Sequence, residues 1–435
     1  SCNLFFLQLS WNLQTTMTDK VNVLMIGTGE YTTGYVNGGS STSDKKVGVV
    51  ALTMFDLRRL GKVGDIAMVG TNGSKLPAIR EHLNKNIGQV YNMDTSLTTY
   101  PGDNVTDRES YKEAIDALKA GDAITIFTPD PTHYPIALYA IKRGIHVLLT
   151  KPAVKLLHEH QNLINEAKKN NVFVMIEHHK RFDPAYADAK GKAAGLGPFN
   201  YFYSYMSQPK FQLETFRAWI ETKESDISYY LNSHHIDLHC WMVGDRGVPY
   251  KVTASAASGI ATSEPFNMVE GTEDTITLLV NWRSTDEKEP TEGTAVYTSS
   301  WTAPAKSEVH SQQYFHYLGS KGEVRVDQAH RGYSYTTDSA GFANVNPFYM
   351  KYTPSEEGFF DGQRGYGYVS LEKFIDNCQK INAKTVTVED LDKRGLPTIK
   401  NTELVTAILE AGRRSLDEKR SIELQKNSND EWVLV

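Results

Sequence analysis

From residue 21 to about 176 the chain alternates continuous apolar runs with helix-spaced segments. The runs are VNVLMIG, DIAMVG, AITIFTP, HVLLTKP and VFVMIEH, with a weaker one near 96–100. Apolar runs without polar alternation predict strands buried on both faces, and hence a parallel sheet. Between them LPAIREHLNKN, RESYKEAIDALKAG, HYPIALYAIKRG and KLLHEHQNLINEAKKN each suit an amphipathic helix, several closing on Gly or Asn beside Lys or Arg. This alternation predicts a doubly wound α/β domain. After about residue 178 the strands lengthen and alternate polar with aromatic: FNYFYSYMSQ, YKVTASAASGI, DTITLLVNW, TAVYTSSWTA and GEVRVDQ. Turn-rich connections between them predict an antiparallel sheet. With helical segments at about 226–243, 366–381 and 402–416, the second half reads as α+β around one large sheet.

Composition narrows the function classes. The 435 residues are 40% hydrophobic and 23% charged with a net charge of -6, which gives no reason to expect nucleic acid or an anionic membrane as partner. Nothing approaches the roughly 18 continuous apolar residues of a membrane span. Cys2, Cys240 and Cys378 are too few and too scattered for a disulfide framework, so a reducing, cytoplasmic setting is expected. The leader SCNLFFLQLSWNLQTT lacks a basic region, and Gln8, Ser10 and Asn12 interrupt it. Residues 1–16 are therefore expected to be a non-native, alternative-start or disordered extension.

The first strand ends in Gly27-Thr28-Gly29, a pair that permits the tight turn and close backbone approach a pyrophosphate needs. Such a pair also closes ordinary strands; its place on the first strand of an alternating domain favours the dinucleotide reading. Glu30, Tyr31 and Thr32 would then lie against the cofactor, with Thr32 where a third glycine is due. The insert NGGSSTSDKKVG predicts a longer loop, with a helix starting near Val49; its Ser, Thr and Lys side chains suit either a surface loop or a phosphate wrap. The second strand runs into Gly70-Thr71-Asn72-Gly73-Ser74-Lys75 with no carboxylate for ribose hydroxyls. Thr71, Asn72, Ser74 and Lys75 suit a 2′-phosphate, so NADP is favoured over NAD, unless this is a plain solvated turn.

The most specific stretch is TPDPTHYPIALYAIKRGIHVLLTKPAVKLLHEHQNLINEAKKNNVFVMIEHHKRFDPAY. It places Thr128-Pro129 at a strand end, His133 before a helix, Gly144-Ile145-His146-Val147 entering a strand, then Thr150-Lys151-Pro152 and Lys180-Arg181-Phe182-Asp183-Pro184. In this order the elements resemble the glucose–fructose oxidoreductase / inositol dehydrogenase (Gfo/Idh/MocA) family, with Thr150 where that family usually has Glu. Further on, YYLNSHHIDLHCWMVGD looks like the family's active-site helix, and LPTIKNTELVTAILEAGRRSLDEKRSIEL like its closing helix and tail. The resemblance covers roughly residues 21–424.

It implies a Rossmann domain plus an α+β domain with a large open-faced, mainly antiparallel sheet. The expected division is 1–16 extension, 17–176 dinucleotide-binding domain, 177–425 substrate and oligomerisation domain, and 426–435 tail. The activity implied is hydride transfer between NADP or NAD and a hydroxyl or carbonyl of a sugar, inositol or related polyol. Lys151 falls at the family's catalytic lysine and His234 at its catalytic histidine, with Tyr230 where an Asp is common. Tyr230, His234 and Asp237 can share one helix face, and histidine is a natural base near neutrality. Thr128, Pro129, His133 and Pro152 join Lys151 on the cofactor side; His178, His179, Lys180, Trp219 and Asp237 are candidates for the substrate side. His235 and His239 have a metal-pair spacing but no marked third ligand, so no metal is expected. Two alternatives stay open: a non-catalytic cofactor- or sugar-binding regulator of the same fold, and a dihydrodiol dehydrogenase or sugar–sugar oxidoreductase with tightly held cofactor. A homodimer or homotetramer through the outer face of the open sheet is expected.

Overall fold

The computed structural model describes residues 19–435 except 42, 44, 340, 351 and 361–364, so the leader and Cys2 lie outside the described residues. The first sheet uses β1 (Val21–Ile26), β2 (Val63–Val69), β3 (Thr98–Tyr100), β4 (Ala123–Ile126), β5 (His146–Thr150) and β6 (Val174–Glu177). All neighbours are parallel, in the order β3-β2-β1-β4-β5-β6, the doubly wound order that reverses direction beside β1. The apolar runs become these strands because helices cover both faces. On one face lie the helices His133–Ile141 and Leu157–Lys169. On the other lie Val50–Arg59 and, from far along the chain, Tyr366–Asn382, whose Leu371, Phe374 and Cys378 share a core with Val23, Met25 and Phe173. The segment before the closing helix extends the sheet past β6: Ile176 N–H donates to Pro397 O at 2.7 Å and Ile399 N–H to Val174 O at 2.9 Å.

The second sheet uses β7 (Phe199–Pro209), β8 (Gly247–Ser258), β9 (Glu273–Ser284), β10 (Glu292–Ala303), β11 (Gln312–Gly319), β12 (Gly322–Asp327), β13 (Ile422–Lys426) and β14 (Trp432–Leu434). Their order is β12-β11-β7-β10-β9-β8-β13-β14. It is mixed and mainly antiparallel, because β7 and β10 pair in parallel at its centre. The strand β11, QQYFHYLG, escaped the sequence reading although it alternates, Phe315 and Tyr317 pointing inward and Tyr314, His316 and Leu318 outward. Three helices, Pro184–Ala193, Ser233–Val243 and Glu403–Glu418, line the inner face. Gly412 seats the last of these: a Cβ there would come 2.6 Å from Leu278 Cδ2. The outer face carries half-buried Tyr201, Tyr203, Tyr205, Val296 and Tyr314, with exposed Leu279.

Candidate functional site

The glycine turn after β1 is shaped by close approach. Gly27 has φ +106°, and a Cβ there would lie 2.1 Å from Phe127 O, at the exit of β4. Gly29 is the opposite case, with nothing within 4 Å of such a Cβ, so open space lies beside it. A single helical turn, Glu30–Thr33, follows and stops at Gly34, with φ +71°. The chain then leaves in the hairpin Tyr35–Val36 and Gly39–Ser40, and comes back at Gly48, with φ +80°. There Val49 N–H donates to Tyr31 O at 2.8 Å, and the helix Val50–Arg59 continues. The insert thus interrupts the helix after its first turn and leaves the glycine turn itself intact. Glu30 binds the insert back, taking Ser43 Oγ at 2.8 Å and also Ser41 Oγ. Thr32 is buried, and Tyr31 stacks on Phe127 with 4.9 Å between ring centroids.

Beyond β2, Thr71, Ser74 and Lys75 are exposed. Asn72 spends its side-chain oxygen on the turn, accepting Ser74 N–H at 3.0 Å and Ser74 Oγ at 2.7 Å. His133 is fully buried and braces two strand exits: Nε2 meets Thr128 O at 2.9 Å, and Nδ1 meets Pro152 O at 2.9 Å. Pro129 opens the short turn Asp130–Thr132 ahead of it.

Lys151 closes β5, at the carboxyl edge where such sheets bind ligands. Its ammonium stands 4.1 Å from the centroid of the Tyr230 ring and donates to Tyr230 O. Burial pushes it down to about 7, against the pull of Asp130 and Glu177, with the cation of Lys45 adding to the fall. His234, one turn after Tyr230, is held well below the usual imidazole range by burial first, then by Lys151, Lys180, His179 and His178. Its Nδ1 is buried without a hydrogen-bond partner among the described residues. His179 lies 5.5 Å from His234 between ring centroids, and its Nδ1 meets Glu177 Oε2 at 2.7 Å.

Lys151, Tyr230, His234 and His179 therefore come together. Trp219 packs edge-on against Tyr230, with 5.5 Å between centroids, and at right angles to Trp301. Asp237 turns to Arg181, which reaches it with two nitrogens at 2.9 and 2.6 Å. His178 faces that pair, its Nε2 3.7 Å from Asp237, and burial brings it down to about 4. Lys180 donates to Gln328 Oε1 at 2.7 Å and to Gln313, beneath the second sheet, and burial pushes it down to about 7. His239 stacks on Phe202 at 4.2 Å and bonds Tyr297 OH at 2.5 Å. Among the described residues no group of three His, Cys, Asp or Glu stands ready to hold a metal.

Sequence reasoning missed Glu177, Ser370, Tyr349 and Tyr366. Glu177 carried a signal: a carboxylate ending a parallel strand obeys the rule that singled out Lys151. The two tyrosines reach the site from the far end of the chain, and nothing local marks them.

The residues present fit a dinucleotide. The backbone approaches closely at Gly27, room is left at Gly29, and exposed hydroxyl, amide and ammonium groups stand at the end of β2. Residues 21–178 match the family described as "Oxidoreductase family, NAD-binding Rossmann fold". The chain is 30% identical over 145 residues, 33% of its length, to UDP-N-acetylglucosamine 3-dehydrogenase of Acidithiobacillus ferrooxidans, spanning 43% of that protein. Over 69 residues, 16% of its length, it is 36% identical to scyllo-inositol 2-dehydrogenase (NAD(+)) of Bacillus subtilis, spanning 20% of that protein. These alignments thus span less than half the length of either curated relative. The fold extends further: scyllo-inositol dehydrogenase from Lactobacillus casei, solved with bound NAD(H) and scyllo-inositol, superposes with a TM-score of 0.61 at 15% identity, covering 93% of this chain and 99% of that one. Over residues 21–178 the chain is thus similar to the NAD-binding Rossmann domain of the Gfo/Idh/MocA oxidoreductases.

Proposed function

We propose that the protein transfers hydride between a nicotinamide dinucleotide and a hydroxyl or carbonyl of a sugar, inositol or related polyol, with Lys151 and His234 as its acid/base pair. The observation that carries this is the convergence of a lysine brought to about 7 and a neutral, partly unpartnered imidazole at the carboxyl edge of the parallel sheet. A bound nicotinamide supplies the hydride acceptor. Neutral Lys151 and neutral His234 take the hydroxyl proton between them, and protonated Lys151 stabilises negative charge on the oxygen as it forms. His179 and Trp219 flank the polyol. The exposed Thr71, Ser74 and Lys75, without a carboxylate, favour NADP over NAD. The half-buried tyrosines on the outer face of the second sheet suit a homodimer or homotetramer, and the cysteine usage suits the cytoplasm.

The test follows nicotinamide absorbance with NADP and NAD across a panel of sugars, inositols and diols. Turnover on at least one polyol supports the reading. Dinucleotide binding with no turnover on any of them favours the regulator instead, a reading supported by the engagement of the Lys151 ammonium with Tyr230 O.

A further inference from the structure

Glu177, at the end of β6, is a buried carboxylate with three donors around it. Ser370 Oγ reaches Oε1 at 2.5 Å, while Oε2 takes the His179 backbone N–H at 3.2 Å and the His179 ring at 2.7 Å. Burial would raise this carboxyl, yet His179 and Ser370 hold it below the usual range, so it is an anion. An ionised carboxylate only accepts hydrogen bonds, so His179 Nδ1 carries a proton, and in the neutral ring Nε2 presents its lone pair. Nε2 has no hydrogen-bond partner among the described residues. The ring is held parallel to Tyr366 with 5.5 Å between centroids and packs against Tyr349 at 5.9 Å and Tyr31 at 6.4 Å. His234 is the fourth ring around it.

The two neighbouring imidazoles differ as proton carriers. His234 has Lys151 and Lys180 nearby and no carboxylate bonded to it, so a proton resting there meets repulsion. His179 has the Glu177 carboxylate at 2.7 Å, which orients the ring. Its side chain also keeps 14% of its surface in solvent.

We propose that Glu177 and His179 form the proton outlet of the site: Glu177 is a positioning residue that fixes the Nδ1–H tautomer, and His179 Nε2 takes the proton released by the substrate. This rests on the oxidoreductase reading above. In the oxidising direction the carbon-bound hydrogen leaves with its electron pair to the nicotinamide, which is reduced. The hydroxyl O–H bond breaks as the C–O bond becomes C=O, and the proton passes from Lys151 and His234 to His179 Nε2 and on to water.

The test uses the full chain, with Glu177→Gln and His179→Ala. Side-chain nitrogen NMR of the wild type, assigned by loss of the His179 signals in His179→Ala, is expected to show the Nδ1–H tautomer, and Glu177→Gln to show a mixture. In turnover, Glu177→Gln is expected to lower kcat about 100-fold, with substrate KM and dinucleotide Kd within about twofold. His179→Ala should lose as much and regain at least about tenfold when imidazole is added to the buffer, which a ring needed only for packing would not do. An Nε2–H tautomer in the wild type overturns the proposal, as do kcat values within about threefold of wild type in both variants. Should His179→Ala fail to fold, the isosteric Glu177→Gln carries the test and assigns the signals. If the wild type oxidises no polyol, the functional reading fails, while the tautomer measurement still decides the Glu177–His179 pairing.

Discussion

The helix Ser233–Val243 separates two buried polar clusters of opposite character. At Asp237 the charges are closed: Arg181 gives the carboxylate two hydrogen bonds, and its remaining nitrogen reaches Gly395 O at 3.0 Å. One turn earlier the cluster around His234 is open. Among the described residues Lys151 directly meets a carbonyl oxygen and an aromatic face, and His234 Nδ1 has no hydrogen-bond partner. Asp237 and Arg181 are buried, as is His234, while Lys151 and Tyr230 are half-buried; what each charge meets separates the clusters further. A buried cation matched by a bidentate carboxylate stays charged and ties elements together. One left without direct neutralisation moves its pKa toward neutrality, where it can exchange protons.

The largest effect expected from this contrast is at Lys151. Lys151→Met should lower kcat by about 1,000-fold while leaving the folded state and dinucleotide binding intact. Steady-state kinetics beside a dinucleotide titration measure this, and retained turnover would place the chemistry elsewhere. At the closed cluster the cost should fall on folding. Asp237→Asn leaves the Arg181 charge buried and unmatched, a loss of about 3–5 kcal/mol in urea unfolding. Activity per folded molecule should change little. A variant that folds normally yet binds polyol poorly would move Asp237 into the substrate pocket and erase the contrast.

The open cluster also predicts a pH dependence. Neutral Lys151 is the form that accepts a proton, so polyol oxidation should rise with pH through about 7. Carbonyl reduction needs the ammonium and should fall over the same interval. His234 stays neutral across it, because burial and the surrounding cations keep it far below. Rate profiles in both directions check this; parallel profiles would remove Lys151 from the proton path.

The same contrast explains what could be read from the sequence. The first sheet was legible because its strands are largely buried on both faces, and β1, β2, β4, β5 and β6 each appear as a mainly apolar run. The position of Lys151 at a strand edge was legible because Thr-Lys-Pro closes such a run, and that of His234 on a helix because of the local pattern around it. The partners that distinguish closed from open were not. Arg181 and Asp237 stand 56 positions apart, and Glu177 and Ser370 stand 193 apart. The first pairing is set by where the helix Ser233–Val243 packs and the second by how the helix Tyr366–Asn382 returns to the first sheet, and no local spacing records either. The parallel pairing of β7 with β10 was hidden for the same reason: alternation says which face a residue takes, not which strand lies beside it.

The smallest effect is expected where charge is exposed. Lys75 stands in solvent at the end of β2 with no ion-pair partner among the described residues. If it meets the 2′-phosphate, water screens the contact, so it should contribute only about 1 kcal/mol. Lys75→Asp should then weaken NADP binding by about fivefold, leave NAD binding within about twofold, and narrow the difference further as salt rises. Competitive titrations of the two dinucleotides at low and high ionic strength measure this. Equal loss for both would mean that Lys75 touches something they share, and the preference would have to come from Thr71 and Ser74.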